Sequence, residues 1–163
     1  MNTYLKHIVF LAVCAVMLIS CAGTPPSSSG ATQWGVESRQ SIYMAYLREE
    51  GLEPRINENG DIAFQLEGFN FYIRIVKDDP SLMYVSLPNI ERISDAERGR
   101  AANAVSVANR NTKVAKMYIS GRENNYVTIS TELFLEDPNN FGVLFPRMMG
   151  AIGAAMENFA RNM

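Results

Sequence analysis

The sequence predicts an α+β fold: one antiparallel sheet covered on one face by helices. Two observations carry this. Apolar residues alternate with polar ones at period two in two separate blocks, and three other stretches repeat apolar residues at spacings of three and four. The predicted order is helix, meander of three or four strands, helix, hairpin, helix, within one domain spanning residues 36–163.

Each element has its own signal. "SRQSIYMAYLREE", from Ser38 to Glu50, puts Ile42, Tyr46 and Leu47 on one helical face, and Gly51 is placed to end it. After a short first strand at Arg55 to Asn57, Asn59-Gly60 is a strong hairpin signal. Ile62, Phe64 and Leu66 then alternate with polar neighbours, and Phe69, Phe71, Ile73 and Ile75 do the same after Gly68. Asp78-Asp79-Pro80-Ser81 is turn chemistry, and Met83, Val85 and Leu87 follow at period two.

Ser94-Asp95-Ala96-Glu97 is a capping-box pattern, so a second helix is expected from there. Its small face, Ala101, Ala104, Val105 and Ala108, allows close approach to a sheet. Residues 113–120 and 126–135 form the hairpin. Asp137-Pro138 opens the last helix, as cap and first-turn proline. There Phe141, Leu144, Phe145, Met148, Met149, Ile152, Met156 and Phe159 form a broad stripe. Gly150 and Gly153 would thin that helix for close packing or leave a soft point.

The residues before the domain are of another kind. Lys6 precedes twelve uncharged, mostly apolar residues, Ile8 to Ile19. A spanning helix needs about 20 apolar residues, so this run is expected to be an export signal, residues 1–20. "LISC", Leu18-Ile19-Ser20-Cys21, resembles the lipobox of bacterial lipoproteins. That resemblance implies cleavage before Cys21, lipidation of Cys21, and a stable triacyl anchor in the membrane. Ala22, rather than Asp, implies the outer membrane, with the domain facing the periplasm. "AGTPPSSSGATQ" carries no charge and almost no large apolar group, so residues 21–35 read as lipidated Cys and tether.

Processing would remove His7, the only His, and Cys14, while Cys21 is consumed by lipid. Histidine general bases, cysteine nucleophiles, imidazole or thiolate metal sites and disulfides then fall out of consideration. No metal site or cofactor is expected. Net charge moves from −2 to −3 with the loss of Lys6, a poor balance for binding nucleic acid. The acidic pairs Glu49-Glu50, Asp78-Asp79 and Glu136-Asp137 read as helix end, turn and cap rather than catalytic dyads. No catalytic residue is expected, and the chain reads as a non-enzyme.

One surface stands out. Placing the more apolar register of each strand inward leaves Tyr72, Tyr84, Tyr118 and Tyr126 on the opposite face. Arg74, Lys116 and Thr128 share it, with Ser86, Ser120 and Ser130. Tyrosine combines contact area with a polar handle, which suits a protein partner or homodimer. It also sits comfortably on any solvated strand, so both readings stand. A second possibility is a lipid or small apolar ligand between the sheet and the Met-rich last helix.

The stretches "LREEGLEPRINENGDIAFQLEGFNFYIRI", "AANAVSVANRNTKVAKMYIS" and "YVTISTELFLED" resemble the YbjN-like and type III secretion chaperone-like families. The resemblance implies an α+β domain with a protein-binding or chaperone-like role and no catalytic set. Secretion chaperones are cytoplasmic and unlipidated, and on that point this chain departs from them.

Overall fold

The computed structural model describes residues 34–163. The expected signal, the Cys21 anchor and most of the tether lie outside the described residues. The elements are α1 (Val36–Glu49), β1 (Arg55–Ile56), β2 (Ile62–Leu66), β3 (Phe69–Ile75), β4 (Leu82–Arg92), α2 (Arg98–Asn111), β5 (Ala115–Ser120), β6 (Tyr126–Phe134) and α3 (Phe141–Ala160). This is α+β: a six-stranded, all-antiparallel open sheet with three helices.

The order differs in detail from the expected one. β1 has only two residues, and a 3-10 turn (Pro138–Asn140) precedes α3. Strand order is β1-β2-β3-β4-β6-β5, so the second strand of the hairpin, not the first, lies against β4. β4 also runs five residues past Leu87, through a register shift between Leu87 and Glu91. Pro88 cannot donate to a ladder, and Asn89 takes φ 56°, so the strand can continue only by bulging.

The core lies between one sheet face and the helices. Phe71, Ile73, Ile75, Met83, Val85, Leu87, Met117, Val127 and Ile129 point into it. An aromatic cluster joins the layers: Tyr43 stacks on Phe141 at 4.2 Å, and Phe145 contacts Tyr46 at 5.7 Å and Phe64 at 5.8 Å. In α2, Ala101, Ala104 and Ala108 are fully buried, as their small size predicted, with Val105 half-buried beside them.

Several local expectations need correction. The inward stripe of α1 is Arg39, Tyr43 and Leu47, while Ile42 and Tyr46 are half-buried at its margins. The Ser94 motif makes only half a capping box. Glu97 Oε2 accepts from Ser94 N (3.1 Å), but the Ser94 hydroxyl donates to that same carboxylate instead of capping the helix. The segment after it is therefore a turn, and α2 starts at Arg98. Asp137 caps as expected, accepting from Asn139 N at 3.0 Å, but it caps the 3-10 turn.

The stripe of α3 is also narrower than expected. Phe141, Phe145, Met148, Ile152, Ala155 and Phe159 are buried, and Leu144, Met149 and Met156 flank them. Gly150 and Gly153 meet nothing; the close-approach glycine is Gly142, where a Cβ would lie 2.7 Å from the Tyr46 ring.

Arg39 was invisible to the sequence reading. It is buried with no carboxylate partner among the described residues, and its guanidinium is satisfied by oxygens alone. It donates to the carbonyls of Trp34 (3.2 Å), Leu135 and Glu136 (2.8 Å), and weakly to the Tyr43 hydroxyl (3.4 Å). One planar fork thus ties α1 to the segment between β6 and α3. Burial raises the Tyr43 phenol above its ordinary pKa despite the nearby cation.

Arg39→Met is expected to lower stability by about 1–3 kcal/mol, because buried carbonyls lose their donor. Arg39→Lys should rescue little, since a point ammonium cannot reproduce the fork. Urea titration of both variants checks this. Gly142→Ala should cost about 1–3 kcal/mol by driving Tyr46 out of its packing, whereas Gly150→Ala and Gly153→Ala should each gain roughly 0.5–1 kcal/mol. Melting curves that ranked these three alike would contradict the packing described.

Candidate functional site

The pleat sends alternate residues to opposite faces, and the registers fix which residues meet on the uncovered one. Tyr72 lies opposite Ser86, Ser86 opposite Ser130, and Ser130 opposite Lys116. One row further along, Arg74, Tyr84 and Glu132 follow one another across three strands. In the other direction Tyr118 lies opposite Thr128, and Ser120 opposite Tyr126. The expected side-chain set therefore shares one face.

Much of that set lines a single open concavity of about 790 Å3. Tyr72, Arg74, Tyr84, Tyr118 and Thr128 are part of its wall and floor. Lys116 and Tyr126 are not. Lys116 reaches the rim through its ion pair with Glu132, and Tyr126 stands at the far end of β6. Thr128 is only 5% exposed, and its hydroxyl is 2.6 Å from that of Ser120. It forms part of the floor, largely shielded. Tyr118, by contrast, is 45% exposed.

Sequence reasoning missed four contributors. Asp61 and Glu132 are the acids that hold the two cations. Arg74 grips Asp61 with two bonds, Nε–Oδ1 3.0 Å and Nη2–Oδ2 2.9 Å, and Lys116 meets Glu132 at 2.8 Å. Each cation's pKa is raised, first by the hydrogen bond to its acid and then by that acid's charge; Tyr84 adds to both. Asn57, which lines the concavity, folds the loop before β2, its Oδ1 accepting from Asn59 N and Asp61 N at 2.9 Å each. Phe134, 66% exposed, follows Glu132 at period two and pairs with Leu82. Extending the alternation of Thr128, Ser130 and Glu132 by one step would have found Phe134. Setting the β2–β3 register would have placed Asp61 beside Arg74.

The face is thus aromatic and hydroxyl-rich, with its charges neutralised in pairs. The helix side differs. Three open concavities among the described residues, this one included, take no lining residue from α3.

The architecture is that of a YbjN-like fold. The crystal structure of YbjN from E. coli, described as a candidate transcription regulator, superposes with a TM-score of 0.59. Identity is 11%, over 75% of this chain and 92% of that one, so the likeness is one of fold. No protein-family model and no curated protein matches the chain.

The two ion pairs differ in burial, and this sets an expectation. Asp61's side chain is 8% exposed, whereas its partner Arg74 is 61% exposed. Arg74→Met should cost about 1–2 kcal/mol, less than a fully buried pair, by leaving a shielded carboxylate unpaired. Lys116→Met should leave stability almost unchanged, because the Lys116–Glu132 pair is solvated and screened. Guanidinium titrations of the two variants separate these outcomes.

Proposed function

We propose that this chain is a non-enzymatic envelope lipoprotein whose domain binds another protein, in a chaperone-like manner, through the tyrosine-bearing face of its sheet. The observation that carries this reading is the one-sided layering. The helices take one face, and the other keeps Tyr72, Tyr84 and Tyr118 around an open concavity. Tyrosine rings supply contact area at low entropic cost, and their hydroxyls tolerate water until a partner arrives. Paired charges keep the face near neutrality, which suits a protein surface better than a polyanion. The role described for YbjN, transcription regulation, has less support here, because the net charge is mildly acidic.

The lipobox resemblance at Leu18-Ile19-Ser20-Cys21 adds the location. A lipid on Cys21 would hold the domain on the outer membrane, facing the periplasm. The tether reaches at most about 40 Å. That confinement raises the effective concentration for a membrane-bound partner.

The test is crosslinking in intact cells, comparing the native chain with a variant carrying Tyr72→Ser, Tyr84→Ser, Tyr118→Ser and Tyr126→Ser. Circular dichroism must first show that the variant folds. A discrete crosslinked band, to another protein or to a second copy, is expected to disappear in the variant. Bands that survive unchanged would remove the tyrosine face from the reading.

A further inference from the structure

An open sheet has two edges, and unpaired edge backbone invites further strands. At one edge β1 is only two residues long, which leaves little to pair with. The other edge is β5, six residues long, and it is managed differently. Met117 N–H donates to Asn109 Oδ1 at 2.7 Å, and Asn109 Nδ2 donates to the Met117 carbonyl at 2.9 Å. A side-chain amide has the same donor and acceptor as a peptide unit, so Asn109 makes the two bonds an added strand would make.

Because both Met117 groups point away from β6, Ala115 and Ile119, of the same parity, also face outward. Among the described residues nothing hydrogen-bonds to those outward groups. Asn109 therefore occupies the middle of the edge and leaves both ends open. It can do so because fully buried Ala101, Ala104 and Ala108 seat α2 tightly, and α2 returns into β5 within a few residues. That return is strained: Val114, β-branched and 65% exposed, takes φ 75°.

We propose that the outer edge of β5 is a strand-addition surface for a second copy of this chain, held shut by the Asn109 amide. The sequence of β5 favours a copy of itself. In an antiparallel pair with its two-fold axis at Met117, Ala115 meets Ile119 of the second copy, and Lys116 meets Tyr118. No like charges oppose one another, and Lys116 would lie beside an exposed aromatic ring. The arrangement is isologous, so it closes at two copies. Once Asn109 swings away, Ala115, Met117 and Ile119 would each exchange backbone bonds with the partner, and the two tyrosine faces would run on as one surface. This inference does not rest on the proposed function; it concerns the edge, not the face.

The experiment measures self-association of the full chain in non-ionic micelles by sedimentation velocity across a wide concentration range. Asn109→Ala is expected to tighten dimerisation at least tenfold relative to the native chain. Adding Tyr118→Lys sets like charges opposite Lys116 and should undo the gain, while adding Tyr118→Glu should enhance it. Asn109→Asp, which keeps the acceptor and loses the donor, should fall between native and Ala. It also serves as the readout should Asn109→Ala fail to fold. Amide exchange at Met117 gives an independent check: in Asn109→Ala, protection should return only as concentration rises. A folded variant that remains monomeric, a dimer indifferent to the charge at position 118, or Met117 protection independent of concentration would each overturn the proposal.

Discussion

The structure depends on one constraint: every helix must bury its apolar stripe, and a single sheet face receives all of that burial. In β3, β4, β5 and β6 the odd-numbered positions carry most of the core. The even-numbered ones are left to the other side, where no helix of the described residues lies against them. A slip of one residue in any strand would exchange the two sets, sending Met83 and Val85 to water and Tyr84 and Ser86 into the core. Register is therefore fixed by the hydrophobic side. The composition of the open face follows from it, which is why Tyr72, Tyr84 and Tyr118, from three separate strands, line one concavity.

Burial alone does not finish the fold, because its layers must also be held in place. Arg39 shows how this is done. A buried cation without a carboxylate is costly unless its donors are satisfied, and here carbonyls from Leu135 and Glu136 satisfy them. Those carbonyls lie in the connection between sheet and last helix, where regular secondary structure leaves backbone groups unpaired. Arg39 and the connection each meet the other's need. Thr131 is a contrast: it is fully buried in the helix-facing set, and among the described residues its hydroxyl meets no hydrogen-bond partner.

What could be read from the sequence tracks what is local. Alternation over Phe71 to Ile75 and Met83 to Leu87 marked strands and faces together, since both depend on side chains two residues apart; Phe69, in the same register at the start of β3, is instead 38% exposed. The small residues of α2 gave its close seat in the same way. The hidden features were those in which distant backbone meets a side chain. Arg39 reads as a solvated helix residue until Leu135 is brought beside it. Asn109 reads as a helix-end polar residue until β5 is laid along α2. The continuation of β4 beyond Pro88 was concealed because a proline argues against a strand unless a bulge absorbs it. Asp61 and Glu132 were missed for a milder reason. Each lies one cross-strand pairing away from a residue that was singled out, and pairing was not carried that far.

The charge arrangement narrows what the open face can do. Arg74 and Lys116 are each already engaged by a carboxylate, so an incoming anion would have to displace Asp61 or Glu132 from an established hydrogen bond. An incoming cation meets the same obstacle from the other side. Neither sign gains much by approaching, and long-range steering is weak. What remains available is the partly shielded surface of Tyr72 and Tyr84, the more open ring of Tyr118, and the apolar end at Leu82 and Phe134. Affinity for such a face has to come from excluding water over aromatic area, which rewards a broad, shape-matched partner and gives little to a small ion. The same neutrality lets the face stay exposed without drawing polyanions or basic proteins indiscriminately. A surface built this way selects by fit, and its open concavity is the part of the molecule that fit must address.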